Sequence, residues 1–172
     1  MDRPAPKVFK VKDPDPDDKF SDIHPHLPQP PSLLLIVGSV KAGKSNLLVN
    51  LLCNPDMYKD KFDIVKIISN TLNADPKGKL MNKYFDCEDH YNDDMITELI
   101  ESQKKYEDFE RPSVAIFLDD ILTKDFTKNN AVSFLATRFR HYGIGLLAFT
   151  TQSFRAVSGL IRNNATDVII MK

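Results

Sequence analysis

Residues 38–45 read Gly-Ser-Val-Lys-Ala-Gly-Lys-Ser, a complete G-x-x-x-x-G-K-S loop placed directly after the apolar run Leu33–Val37. A match at the fixed positions arises by chance in roughly one chain of this length in 150, and a strand before with a helix after makes coincidence rarer. The chemistry such a loop offers is phosphate binding. Gly38 and Gly43 let the backbone curl, so that N–H groups along Ser39, Val40, Lys41 and Ala42 turn inward toward phosphate oxygens. Lys44 is expected at the β- and γ-phosphates and the Ser45 hydroxyl on Mg²⁺. Asn46 to Leu52 then form the first turns of a helix whose positive end faces the same anion.

A second set of chemical groups lies further along. Asp119 and Asp120 follow the apolar residues Val114–Leu118, at the carboxyl end of a strand, where open α/β sheets place their ligands. Asp119 is expected to hold Mg²⁺, largely through water, and Asp120 to orient or deprotonate the attacking water. Two aspartates opening a solvated turn would look the same without the phosphate loop beside them. Another apolar run ends in Thr150-Thr151-Gln152. There the Gln152 amide can touch the γ-phosphate or its water and report phosphate loss by changing rotamer; a surface Gln starting a loop is the plainer alternative. Arg138, Arg140 and His141 stand at the end of the preceding helix, where cations suit the helix dipole. The sharper reading makes Arg140 an arginine finger offered to a neighbouring subunit's nucleotide. Arg138, Arg155 and Arg162 are weaker options.

These residues need a frame that brings distant strand ends together. Besides Leu33–Val37, the runs Asp63–Ser69, Val114–Leu118, Ile144–Thr150 and Asp167–Met171 read as strands. Helices are expected after the phosphate loop, over Asp93–Tyr106 with Asp93 or Asp94 as cap, from Asn129 or Asn130 to about Arg140, and over Ser158–Asn163. Residues 70–92, broken by Asn73, Asp75, Pro76 and Gly78, read as a long connection or insertion. Alternating strands and helices, with several strands continuously apolar, imply an α/β fold whose five-stranded parallel sheet is covered on both faces. If the fourth strand lies between the first and third, Gln152 falls between the phosphate loop and the acidic pair. Residues 1–31 carry most of the eleven prolines and read as an extended arm, and residues 32–172 as the nucleotide-binding domain. The His24/His26 stretch reads as linker because no third ligand accompanies it. The chain ends on an apolar strand with no capping element after it, so truncation, or a missing C-terminal lobe, is expected.

Composition narrows the partners. At 172 residues the chain fits one domain, and a net charge of −1 gives no global basic signature, so any contact with DNA must come from a local patch. Cys53, expected on the apolar face of its helix, and Cys87 lack metal-site spacing, which suggests a reducing compartment and no zinc. No apolar run approaches ~18 residues and the N-terminus is charged, so neither a membrane span nor a signal peptide is expected, and an intracellular protein is.

The stretch Arg140-His-Tyr-Gly-Ile-Gly-Leu-Leu-Ala-Phe-Thr-Thr-Gln-Ser-Phe-Arg-Ala-Val-Ser-Gly-Leu-Ile-Arg-Asn-Asn164 resembles the FtsK/HerA superfamily of P-loop ATPases. With His24-Pro-His-Leu-Pro28 before the first strand and Asp-Asp where others carry Asp-Glu, the chain looks most like the genome-packaging ATPases of nucleocytoplasmic large DNA viruses, the poxvirus-type branch. The resemblance covers about residues 24–172. It implies a RecA-like (ASCE) sheet of order 5-1-4-3-2 and ATP with Mg²⁺ as nucleotide and metal. It also implies Lys44 and Ser45 on them, Asp119 and Asp120 as the second motif, Gln152 as sensor and Arg140 as the trans-acting finger. A homo-oligomeric ring, hexameric or pentameric, threading double-stranded DNA is implied as well. So are a capsid-vertex or membrane protein as partner and a place in the host cytoplasm, in virus factories, and in the virion. Pore loops are sought at Lys124–Lys128 and at Lys77, Lys79 and Lys83.

Two other classes compete. A small-molecule kinase or GTPase would want an arginine-rich lid or an Asn-Lys-x-Asp signature, and neither is present. A non-catalytic assembly protein would bind ATP only to hold a ring together.

Overall fold

The computed structural model describes residues 20, 22–74, 76–121 and 130–172. The expected N-terminal arm up to residue 19, with Ser21, and the Lys124–Lys128 segment lie outside the described residues.

Along the chain the elements are β1 (Ser32–Gly38), α1 (Lys44–Cys53), β2 (Ile64–Ser69), α2 (Pro76–Tyr84), β3 (Asp86–Glu88), α3 (Asp93–Gln103), β4 (Val114–Asp119), α4 (Ala131–Arg138), β5 (Ile144–Thr151), α5 (Gly159–Asn164) and β6 (Asp167–Met171). Every strand pairing is parallel. The sheet has six strands in the order β3-β2-β4-β5-β1-β6, so the five-stranded sheet is corrected to six, while the five expected strands keep their relative order 5-1-4-3-2. The added member is β3, a three-residue edge strand that pairs with β2. It lies, with α2, in the segment that sequence alone reads as a connection. Pro76 fits the first helical position, where its missing N–H costs nothing, and Lys83 suits the last turn.

The strands β1, β4 and β5 are buried along their whole length because both faces of the sheet are covered. Alternation splits their side chains between two cores. Leu33, Leu35, Ile116, Leu118, Leu147 and Phe149 face α3, α4 and α5, while Leu34, Ile36, Ala115, Phe117, Leu146 and Ala148 face α1, Tyr58 and Phe62. The segment before β1 belongs to the second core: Ile23 is buried there, and the Tyr58 hydroxyl donates to the Pro28 carbonyl at 2.6 Å. Cys53 is exposed at the end of α1, off the apolar face where it was expected.

Helix caps differ slightly from expectation. Asn92 caps α3, its side chain accepting from the Asp94 N–H at 3.0 Å. The Asp93 carboxylate instead accepts from the Ala131 N–H at 3.1 Å, tying α3 to the start of α4. Asn130 caps α4 through the Ser133 N–H at 2.8 Å, and a 3₁₀ turn at Phe139–Tyr142 and Gly143 (φ 69°) lead into β5.

Candidate nucleotide-binding site

The loop between β1 and α1 turns through two left-handed residues, Lys41 (φ 67°) and Gly43 (φ 97°). Glycine takes that conformation freely, whereas at Lys41 it is strained by roughly 1–2 kcal/mol, and such strain persists where the surroundings over-determine it. Gly38 answers a packing demand, since a Cβ there would come within 3.0 Å of the Cβ atoms of Ala42 and Met171. Helix α1 has neither a side-chain N-cap nor an acidic residue in its first turn, so its leading N–H groups and positive end are directed into the loop. The Lys44 ammonium donates to the Gly38 carbonyl at 2.8 Å and the Ser39 carbonyl at 3.1 Å, bracing the curl.

Across the sheet, β4 delivers the acidic pair. Asp119 is 4 % exposed, and both carboxylate oxygens accept hydroxyl donors, Ser69 Oγ at 2.9 Å from the end of β2 and Thr150 Oγ1 from the end of β5. A buried carboxylate is tolerated because neighbouring strands supply these donors. The next residue, Asp120, takes φ 54°, which ends the strand and turns its side chain toward the cleft. Its N–H donates both to Thr150 Oγ1 at 3.0 Å and to the Thr150 carbonyl at 3.2 Å. Thr150 therefore binds both acids through one hydroxyl. The Gln152 amide donates to Asp120 Oδ2 at 3.0 Å.

Parallel register explains why these groups meet. Val37 of β1 is level with Thr151 of β5, and Asp119 of β4 with Thr150, so one edge of the sheet collects every carboxyl end. There the structure forms a cleft of about 430 Å³ lined by Val40, Lys41, Gly43, Lys44 and Ser45 of the loop, by Asp119, Asp120 and Gln152, and by Thr71 and Lys77. Of the other expected loop residues, Gly38 offers its carbonyl to Lys44 and the Ala42 N–H donates to the Ser39 carbonyl at 3.2 Å. Asn46 is exposed on α1 outside the cleft lining.

Arg140 is not brought to this cleft. It is exposed before β5, at the opposite end of a strand that rises about 23 Å along its length, with its guanidinium carbon 5.5 Å from the Phe139 ring centroid. It lines a second cleft of about 480 Å³ with His141, Arg111 and Gly143. Arg138 lies over the Phe134 ring at 4.5 Å and Arg162 over Phe154 at 5.5 Å. The finger role for Arg140 is thus open only toward another copy of the chain.

Ser69, Thr71 and Lys77 escaped the sequence reading of the site. Ser69 and Thr150 carry a findable signal, a hydroxyl at the carboxyl end of a strand adjoining the acidic one. Lys77 does not, because in sequence it groups with Lys79 and Lys83 as a DNA-facing lysine. Magnesium fits the donor set. Ser45 and Asp119 present hard oxygens in one cleft, and Mg²⁺ takes few protein ligands beside substrate phosphates and water. Among the described residues no group of three or more His, Cys, Asp or Glu forms a richer metal cluster.

No protein-family model and no curated protein sequence matches the chain. Solved structures do. The genome packaging NTPase B204 from Sulfolobus turreted icosahedral virus 2 in complex with AMP is 21 % identical over 81 % of this chain and 74 % of that one, at a TM-score of 0.57. The same NTPase with ATP-gammaS is 19 % identical over 81 % and 73 %, at 0.55. The cytoplasmic domain of the Type VII secretion ATPase EccC of Thermomonospora curvata is 14 % identical over 82 % of this chain but 19 % of that one, at 0.57. Likeness at this identity shows the fold, that of the P-loop ATPases.

Proposed function

We propose that the chain is the ATP-hydrolysing subunit of a double-stranded DNA translocase that packages a viral genome. The carrying observation is the convergence of Lys44 and Ser45 with Asp119, Asp120 and Gln152 on one cleft at the carboxyl edge of the sheet. The loop N–H groups and Lys44 bind the phosphates, with Lys44 exchanging its carbonyl partners for phosphate oxygens. Ser45 and Asp119 would hold Mg²⁺, which when bound neutralises charge on the β- and γ-phosphate oxygens. Asp120 orients the attacking water and accepts its proton, and Gln152 holds that carboxylate by its amide. Hydrolysis is signalled when the Gln152 amide exchanges between Asp120 and the γ-phosphate.

The packaging role draws on the likeness in fold to a viral genome packaging NTPase and on the Arg140–Asn164 stretch. In this reading residues 32–172 are the ATPase domain and residues 1–31 an arm. Subunits form a homo-oligomeric ring, hexameric or pentameric, in which Arg140 of one copy reaches the cleft of the next. A head-to-tail interface supplies that relation, because it joins opposite ends of the sheet. Among the described residues no helix is long and apolar enough to cross a membrane. A capsid-vertex or membrane protein would dock the ring, as the resemblance of the Arg140–Asn164 stretch implies. The place of action is the host cytoplasm and the virion.

The test is ATP turnover with and without double-stranded DNA. Turnover that rises with DNA and is lost in Lys44→Ala supports the pump. Turnover demanding a small acceptor would favour a kinase, and binding without turnover a scaffold. Mixed Arg140→Ala and Asp120→Ala subunits, each inactive alone, regain activity if the arginine acts across an interface; a silent mixture rejects the trans finger.

A further inference from the structure

Outward from the phosphate loop, the sheet runs β1, β5, β4 and then β2. The carboxyl ends of these strands contribute Gln152, the acidic pair and Ser69 in that order. Beyond Ser69 the chain closes a tight turn in which the Leu72 N–H donates to the Ser69 carbonyl at 3.1 Å, and the Thr71 and Ser69 hydroxyls lie 3.2 Å apart. Helix α2 then starts against that turn. It sits so close that a Cβ at Gly78 would fall 2.0 Å from the Leu72 carbonyl oxygen and 2.7 Å from the carbonyl carbon. Real Cβ atoms do not approach backbone within 3.0 Å, so any other residue would move the helix by about 1 Å or more. The residue preceding this contact is Lys77, which together with Thr71 forms the cleft wall facing the loop across Asp119 and Asp120.

We propose that Lys77 is a cation supplied in cis to the terminal phosphate of the bound nucleotide, and that Gly78 sets it there by letting α2 seat on the Ser69–Leu72 turn. The inference rests on the ATPase reading. Lys77 lines the same cleft as Lys44, Ser45 and the acidic pair, so phosphates held by the loop would share that space with its side chain. Lys41 and Lys44 serve the near side. A positive charge on the far side favours three phosphates over two, and it offsets the charge that gathers on the transferring phosphoryl group. It also balances two carboxylates that would otherwise repel a γ-phosphate.

The experiment uses the full chain as wild type, Lys77→Ala, Lys77→Arg and Lys59→Ala, the last an exposed lysine away from the cleft that controls for lost charge. DNA-free ATP turnover and equilibrium binding of ADP and ATP-gammaS are measured for each. Lys77→Ala is expected to lose about tenfold in turnover and about fivefold in ATP-gammaS affinity while ADP affinity changes less than twofold, with Lys77→Arg regaining most of both losses. A turnover loss under threefold overturns the inference. So does an equal loss of ADP and ATP-gammaS binding, which would mean a collapsed α2, or an effect confined to DNA affinity. Lys44→Ala separates the two readings: if it is inactive while Lys77→Ala is intact, the ATPase reading stands and the cis cation falls. If wild type neither binds ATP-gammaS nor hydrolyses ATP, both fall.

Discussion

Removing the hydroxyl of Ser69 tests whether the buried Asp119 is held by its neighbours or merely tolerated. Asp119 is 4 % exposed and accepts from Ser69 Oγ at 2.9 Å and from Thr150 Oγ1. A hydrogen bond to a charged group contributes about 1.5–3 kcal/mol net. Ser69→Ala should therefore cost about 2 kcal/mol, which for a chain of this size lowers Tm by about 4–8 °C. Thr150→Val keeps the shape and deletes the second donor. Its cost should be similar, because the Asp120 N–H retains the Thr150 carbonyl at 3.2 Å. The double variant should lose more than the two singles together, by roughly 1 kcal/mol, since only then is a buried carboxylate left without any donor. Urea unfolding followed by circular dichroism, with unchanged m-values as the check on two-state behaviour, reads all three. If Ser69→Ala stays within about 0.5 kcal/mol of wild type, water replaces the hydroxyl at no cost and the clamp contributes nothing.

Tyr58→Phe removes the donor to the Pro28 carbonyl and should destabilise by about 1 kcal/mol while loosening residues 22–31, read as faster proteolysis there; unchanged cleavage would show that packing alone holds the segment. Asn130→Ala deletes the α4 cap and should cost about 1 kcal/mol in urea unfolding, and restoration by Asn130→Asp checks that capping is the cause. The Cys87 thiol is pushed up to about 11, first by burial and then by the Asp86 and Glu88 carboxylates, all of which disfavour the thiolate. In a Cys53→Ser background its alkylation by iodoacetamide should therefore rise about tenfold per pH unit from pH 8 to pH 10; a plateau below pH 9.5 would contradict the assignment.

The phosphate loop, the acidic pair, Gln152 and the parallel α/β plan were legible in the sequence for a common physical reason. Each is written within a few adjacent residues, as a glycine-spaced loop or as a polar group ending an apolar run, and a parallel sheet then gathers those ends on one edge. Continuous apolar runs at Leu33–Val37 and Val114–Leu118 likewise announce strands covered on both faces. Tertiary structure alone decided the rest. β3 is too short and polar to show a period, and exists because its residues add to the free edge of β2. Asn73, Pro76 and Gly78 read as breakers, yet Pro76 starts α2 and Gly78 seats it against Leu72. Ser69 and Thr150 reach Asp119 across separations of 50 and 31 residues, and Arg140 lies a strand's length from the cleft despite standing twelve residues before Gln152. Local chemistry could name the acids and the loop, but contacts between strand ends depend on register, and register is set by the packed sheet as a whole.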